Sequence, residues 1–271
     1  MIDNAGPLLM GILNVTPDSF SDGGQFYALE SACKQAEALL GAGADWLDIG
    51  GESSRPGATP VSVQEEIDRV VPVIDAVRSQ YPDVPISVDT WKADVAEAAL
   101  NAGATAVNDI TALRDPRMIE VVVNAGCELV LMHMQGEPEN MQRRPSYDDA
   151  VSEIAGFLSE RRQFAIDHGV AADRIWLDPG IGFGKTLEHN LALIRGLPVL
   201  AALGAPIVLG ASRKSFIGRI LENKHSDERL SGSLAVAAVA TWLGVGMLRV
   251  HDVRETSEVV RTVRAIARQV G

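Results

Sequence analysis

Two cysteines, five histidines and a deficit of basic residues restrict this chain before any motif is read. Cys33 and Cys127 stand in apolar contexts with neither CxxC nor metal-ligand spacing, so two buried free thiols in a reducing compartment are expected. His133, His168, His189, His225 and His251 form no HxH or HExxH pattern, which argues against metal hydrolysis. His168 and His189 read as solvent-side helix residues. Lys and Arg number 24 against 36 Asp and Glu, a net charge of −12, which argues against nucleic acid or anionic membrane as a general partner. Any anionic ligand must therefore be held by a local cluster of cations. The opening MIDNAGPLLMGILN has no basic region and no long apolar stretch, so neither a signal peptide nor a membrane span is expected, and a cytoplasmic protein is. Ser212 and Ser215 lack an adjacent His–Asp relay, and no other residue is an obvious covalent nucleophile.

One stretch imitates a nucleotide loop without being one. Asp178 to Lys185, DPGIGFGK, ends as a Walker A motif does, but Pro179 stands where that motif needs glycine. The spacing of Gly180, Gly182 and Gly184 also misses the dinucleotide fingerprint. The stretch reads instead as a close approach of backbone to ligand that glycine permits, framed by one acid and one base.

What the chain does have is a regular alternation. With 271 residues and 46% hydrophobic content it can form one large core. Short apolar runs at 8–13, 45–49, 85–89, 105–109, 128–133, 174–178, 206–210 and 247–251 read as strands buried on both faces. Helical patterns fall between them, among others at 28–42, 63–80, 92–102, 147–168, 188–202, 231–244 and 254–268. The 147–168 segment carries Tyr147, Val151, Ile154, Leu158 and Ala165 on one stripe. It opens with Ser146 and Asp149 in capping-box spacing and stops at Gly169. The phrases GAGADWLDI, NAGATAVNDI and NAGCELVLMH each put a helix-ending glycine before a strand. Eight strand–helix units predict a single-domain (β/α)8 barrel over 1–271, with its site at the C-terminal strand ends.

The polar chemistry sits at those ends: Asn14, the Gly50-Gly51-Glu52 turn with Arg55, Asp89, Asn108, His133, Asp178, Ser212 with Lys214, and Arg249 with His251. Any one of them could be a cap or a turn former. Eight ends of eight is hard to assign to caps. Asp89, Asn108, Asp178 and Lys214 suit the edge of a flat, nitrogen-rich heterocycle. Asn14, Arg55, Arg249 and His251 form a cationic and amide set suited to a diphosphate, with which a hard Mg²⁺ would be shared. Two breaker-rich loops, Asn14 to Gly24 with Phe20 and Gly50 to Pro60 with Arg55, read as lids over the mouth.

With those residues in hand, the chain resembles the dihydropteroate synthases of the pterin-binding barrel superfamily. The motifs are MGILNVTPDSFSDGG, DIGGESSRPGA, ISVDT, NDI, LMHMQG, DPGIGFGK, SRKS and RVHDV, spread from Leu9 to Arg254. The resemblance implies a (β/α)8 barrel, typically a homodimer, that joins 6-hydroxymethyl-7,8-dihydropterin diphosphate to p-aminobenzoate. It puts Asp89, Asn108, Asp178 and Lys214 on the pterin, with Phe183 beside the ring and Lys185 supporting the pocket. Arg249, His251 and Asn14 would hold the diphosphate, Asn14 also meeting Mg²⁺, and Arg55 would close over it. Phe20, Ser54, Pro56, Phe183 and Ser215 would border the p-aminobenzoate site, and Arg55, Asp89 and Lys214 would carry catalysis. The family's second loop usually reads ESTRPG; Ser54 here keeps the hydroxyl and loses a methyl, so a slightly roomier rim and altered sulfonamide affinity are implied. A methyltetrahydrofolate methyltransferase of the same superfamily would have no use for the phosphate set, and a non-catalytic pterin scaffold would not need Asn14, Arg55, Lys214, Arg249 and His251 intact.

Overall fold

A computed structural model describes residues 6–15, 24–54 and 57–268 of the chain. Its strands are β1 Leu8–Asn14, β2 Trp46–Gly50, β3 Ile86–Asp89, β4 Ala106–Asp109, β5 Glu128–Met132, β6 Ile175–Asp178, β7 Val208–Leu209 and β8 Met247–Val250. All pair in parallel, in the order β6-β5-β4-β3-β2-β1-β8-β7. A bridge between Leu177 and Ile207, with the Leu177 N–H donating to the Pro206 carbonyl at 3.0 Å, joins β6 to β7 and closes the sheet. The result is the expected (β/α)8 barrel.

The two faces of each strand account for the apolar runs. Outward residues such as Leu9, Leu13, Leu47, Ile49, Val107, Leu129 and Leu177 join one large cluster with the surrounding helices. Inward residues Met10, Trp46, Ala106, Val130, Val208 and Met247 form a second cluster that plugs the barrel, with Trp176 packed against it. Side chains alternate with period two along a strand. The positions two residues further on are therefore also inward: Asp48 after Trp46, Asn108 after Ala106, Asp178 after Trp176, Gly210 after Val208 and Arg249 after Met247. A polar layer thus rests on an apolar floor.

The helices are α1 Gly24–Gly41, α2 Val63–Gln80, α3 Ala93–Asn101, α4 Met118–Ala125, α5 Ala150–Asp167, α6 Leu187–Arg195, α7 Leu197–Ala201, α8 Ser215–Ile220, α9 Leu230–Trp242 and α10 Val253–Ala267. Gly43, Gly103 and Gly126 all take positive φ where helix turns into strand, as the repeated phrases predict. Three departures have local causes. The 188–202 pattern is two helices, divided at Gly196, which is both the C-cap of α6 and the N-cap of α7. The 147–168 pattern starts at Ala150, because Asp149 itself is the cap and accepts from the N–H groups of Val151 and Ser152. Tyr147 lies outside that helix. The short α4 and α8 were not among the sequence-derived helices; α8 follows directly on the SRK segment.

Candidate active site

Six side chains from the strands and their ends meet on the polar layer. Arg249 lies between two carboxylates: its Nε donates to Asp48 Oδ2 at 2.5 Å and its Nη2 to Asp89 Oδ2 at 2.6 Å. Asn108 Nδ2 donates to the same Asp48 oxygen at 3.3 Å. A methyl group placed on Gly210 would stand 3.6 Å from Asp178 Oδ2, 3.7 Å from Lys214 Nζ and 3.8 Å from the Arg249 Cδ, so these three side chains converge over that glycine. Asp178 and Asn108 are buried, each 4% exposed. The division into a heterocycle set and a phosphate set is therefore not one of separate places. Arg249 reaches into the carboxylate cluster.

Burial sets the charge states. It pushes the Asp89 carboxyl up to about 7, with Arg249 opposing and the like charge of Asp48 adding to the rise. Burial raises Asp178 as well, against the pull of Lys214. Lys214 is brought down to about 8 by burial, with Asp178 opposing and Arg249 helping. Ionisable groups moved toward neutrality in one recess are the usual mark of a functional site.

The DPGIGFGK stretch is tied at almost every polar atom of its backbone. The Gly180 N–H donates to Asp178 Oδ1 and the Gly182 N–H to Asn190 Oδ1, both at 2.7 Å. The carbonyls of Ile181, Gly182, Phe183 and Gly184 accept from Lys214, Gln142, Lys185 and Tyr147 respectively. Gly180, Gly182 and Gly184 all have φ between 63° and 85°. Their freedom serves the chain more than a ligand, which corrects the sequence-based expectation. A Cβ on Gly180 would lie 1.9 Å from the His133 carbonyl oxygen, and one on Gly184 would lie 2.6 Å from that of Gln135. Phe183, held by this turn, packs, as Trp91 does, against a cluster of Ile110, Met132, Met134 and Met141, and the Lys214 ammonium stands 4.6 Å from its ring centre.

Lys185 is buried, with its Nζ 3.0 Å from His133 Nδ1 and donating to the Phe183 carbonyl at 2.9 Å. Burial together with the Lys185 charge lowers His133 to about 3, and burial lowers Lys185 well below the usual lysine range. His189 is not solvent-side. It is half-buried, accepts from the Thr186 N–H to complete the cap of α6, and meets Tyr147 edge to face at 4.9 Å. His168 is exposed as expected. Cys127 is buried, whereas Cys33 is half-buried.

His251 sits beside the cluster with its Nδ1 3.1 Å from Ser212 Oγ. Asn14 ends β1 opposite Gly50. Ser54 is half-buried on the second loop, and Ser215 is exposed at the start of α8. Phe20, Arg55 and Pro56 lie outside the described residues. Sequence reasoning passed over Asp48, although an acid inside the apolar run WLDIG was the available signal. It also passed over Lys92, which bridges the buried carboxylates of Glu52 and Glu66 at 2.7 Å each and donates to the Val61 carbonyl at 2.8 Å. The Val61 N–H in turn donates to Glu52, so both limbs of the second loop are fastened beneath it.

Comparison with known proteins decides what this recess belongs to. Residues 10–251 match the family described as pterin binding enzyme. The dihydropteroate synthase of Escherichia coli (strain K12) is 46% identical over 264 residues, covering 97% of this chain and 93% of that protein. The chain belongs to the dihydropteroate synthase family. A structure of the Yersinia pestis dihydropteroate synthase with a sulfonamide drug complex superposes with a TM-score of 0.92 at 46% identity, covering 98% of this chain and 96% of that one. The Xanthomonas albilineans dihydropteroate synthase in complex with 7,8-dihydropteroate gives 0.89 at 41%, covering 99% and 96%. The recess lies at the C-terminal face of the barrel, where this fold carries its chemistry.

Proposed function

We infer that the Asp48–Arg249–Asp89 cluster, with Asn108, Asp178 and Lys214, is the pterin site of a dihydropteroate synthase. The protein condenses 6-hydroxymethyl-7,8-dihydropterin diphosphate with p-aminobenzoate, giving 7,8-dihydropteroate and diphosphate. The observation that carries the site assignment is the convergence of Asp178, Lys214 and Arg249 over Gly210, on a floor with no side chain. A flat ring can lie there, its N–H groups facing the carboxylates of Asp89 and Asp178 and its acceptors facing Lys214 and Asn108. Phe183 borders both the ring and p-aminobenzoate, the latter with Phe20, Ser54, Pro56 and Ser215. Arg55, Arg249, His251 and Asn14 meet the diphosphate.

The chemistry asks for no nucleophile from the chain. The bond between the pterin methylene and the diphosphate oxygen breaks with its electron pair leaving on diphosphate. The ring delocalises the positive charge, which Asp89 and Asp178 favour. The aniline nitrogen of p-aminobenzoate then attacks the methylene and releases a proton. Charges fixed in advance in this way are commonly worth about 3–4 kcal/mol per group. Among the described residues no group of three or more His, Cys, Asp or Glu could hold a metal. Asn14 with the substrate's diphosphate oxygens and water is nonetheless the donor set Mg²⁺ takes. Bound there, Mg²⁺ would neutralise charge on the leaving diphosphate. A rim one methyl roomier at Ser54 alters sulfonamide affinity.

The protein works as a cytoplasmic homodimer. Among the described residues no helix is long and apolar enough to cross a membrane. The dimer is supported by α9, which contains no charged residue and leaves Val239 and Trp242 exposed. The enzymatic reading is tested by pyrophosphate release from the pterin diphosphate. Release that depends on p-aminobenzoate and rises with Mg²⁺ is expected; none under any condition refutes it.

A further inference from the structure

Asp48 is wholly buried, yet its Oδ1 accepts no hydrogen bond among the described residues, while its Oδ2 takes two. A buried carboxylate oxygen without a donor is an expensive exception in a folded protein. The donor missing from it is close at hand. Arg249 already gives Nε to Asp48, and a guanidinium pairs side-on with a carboxylate through Nε and Nη2 together. The same molecule contains that arrangement complete: Arg213 donates Nε to one oxygen of Asp252 and Nη2 to the other. In the Asp48 pair, Nη2 is instead given to Asp89.

We propose that Asp48 is a positioning residue that receives Arg249 Nη2 when the heterocycle takes Asp89, completing the two-point pair at its unoccupied Oδ1. The inference rests on the pterin-site reading above and deepens it. Without ligand, Arg249 satisfies Asp89. When a ring N–H arrives at Asp89, Nη2 must leave, and an arginine held by Asp89 alone would either compete with the ring or swing away from it. Held through Nε by Asp48, the guanidinium only has to turn. It stays in the recess with its Nη1 side directed to the incoming ligand. Asn108, bound to the other oxygen of Asp48, keeps its orientation throughout. The arginine thereby serves as a removable cover for the Asp89 carboxylate.

Kinetics of Asp48→Asn test this, because the amide keeps the shape and loses the charge that competes for Arg249. The expected result is a KM for the pterin diphosphate raised about tenfold or more, as for loss of a charged hydrogen bond, with the KM for p-aminobenzoate within about twofold. In an Arg249→Met background the same change should alter the pterin KM by less than about threefold, since the partner through which Asp48 acts is gone. Equal rises for both substrates, or the same penalty in both backgrounds, would overturn the proposal. A wild-type structure with pterin bound decides the point even where Asp48→Asn does not fold. Nη2 on Asp48 Oδ1 supports it, and Nη2 retained on Asp89 refutes it. Wild-type pyrophosphate release, run alongside, separates failure of this inference from failure of the enzymatic reading.

Discussion

Asp89 and Lys214 are matched by opposite displacements. Burial moves the acid up to about 7 and the base down to about 8, so a narrow interval separates a protonated carboxyl from a neutral amine. A ring N–H needs the carboxylate as acceptor, and a ring acceptor needs the ammonium as donor. The kcat/KM for the pterin diphosphate should therefore peak between these values and fall on both sides. The acid limb reflects protonation of Asp89, which faces Arg249, Asp48, Glu66 and Lys214. The alkaline limb reflects loss of the Lys214 proton, in the field of Asp178, Arg249 and Asp89. Because these groups interact, each limb belongs to the cluster and not to one residue. Lys214→Arg should abolish the alkaline limb up to about pH 10, since a guanidinium stays charged. A pH profile of kcat/KM for that variant showing the limb unmoved would refute the assignment. Residue types at strand ends were enough to name both groups from the sequence. The link from Asp89 through Arg249 to Asp48 was not legible, because it depends on which side chains a closed barrel turns toward each other.

At the scale of the element, the turn after β6 is a brace. Gly180 combines a φ of 66° with the closest backbone approach in the turn, 1.9 Å from a would-be Cβ to the His133 oxygen. A methyl there must displace either its own turn or the end of β5. Gly180→Ala should cost about 3 kcal/mol, at the upper end for a single substitution. For a domain of this size that is a fall of about 6–12 °C in Tm, measurable by calorimetry or circular dichroism. Gly156 is the contrasting case: it lies exposed within α5 and nothing stands within 4 Å of its would-be Cβ. Gly156→Ala should stabilise by about 0.5–1 kcal/mol, through helix propensity alone. If the two variants melt alike, steric crowding at Gly180 is not what fixes the glycine. Glycine spacing in DPGIGFGK told the sequence reader that some backbone came close to something, but not to what. The neighbour is His133 at the β5 end, 47 residues before Gly180 in sequence, and only the register between β5 and β6 brings Met132 opposite Asp178. Strand positions were legible for a different reason. A strand covered on one side by helices and on the other by a plug is apolar at nearly every position, a pattern that needs no knowledge of its neighbours.

At the scale of the molecule, the barrel leaves one helix unexplained by its own core. The helix α9, LSGSLAVAAVATW, buries Ser233, Ala237, Ala240 and Thr241, its smaller side chains, against the barrel. Its bulkier residues Val239 and Trp242 stay 46% and 54% exposed. On α8, which packs on α9 where Gly232 meets Ile217, Ile220 is 51% exposed. A chain of net charge −12 repels its copies at long range, so an uncharged apolar face is where two of them can meet. A homodimer through α9 predicts a solution mass twice the 28.9 kDa of the chain, and a dimer that tightens with added salt as the repulsion is screened within about 8 Å at 0.15 M. Introducing Trp242→Lys together with Val239→Lys places two desolvated charges per copy in that face and should give a monomer, read by light scattering during size exclusion. Both positions are exposed, so the fold should survive, and Tm measured at low protein concentration should change little. A wild-type mass of one chain at micromolar concentration, or a double variant that still runs at twice the chain mass, would place the interface elsewhere or remove it.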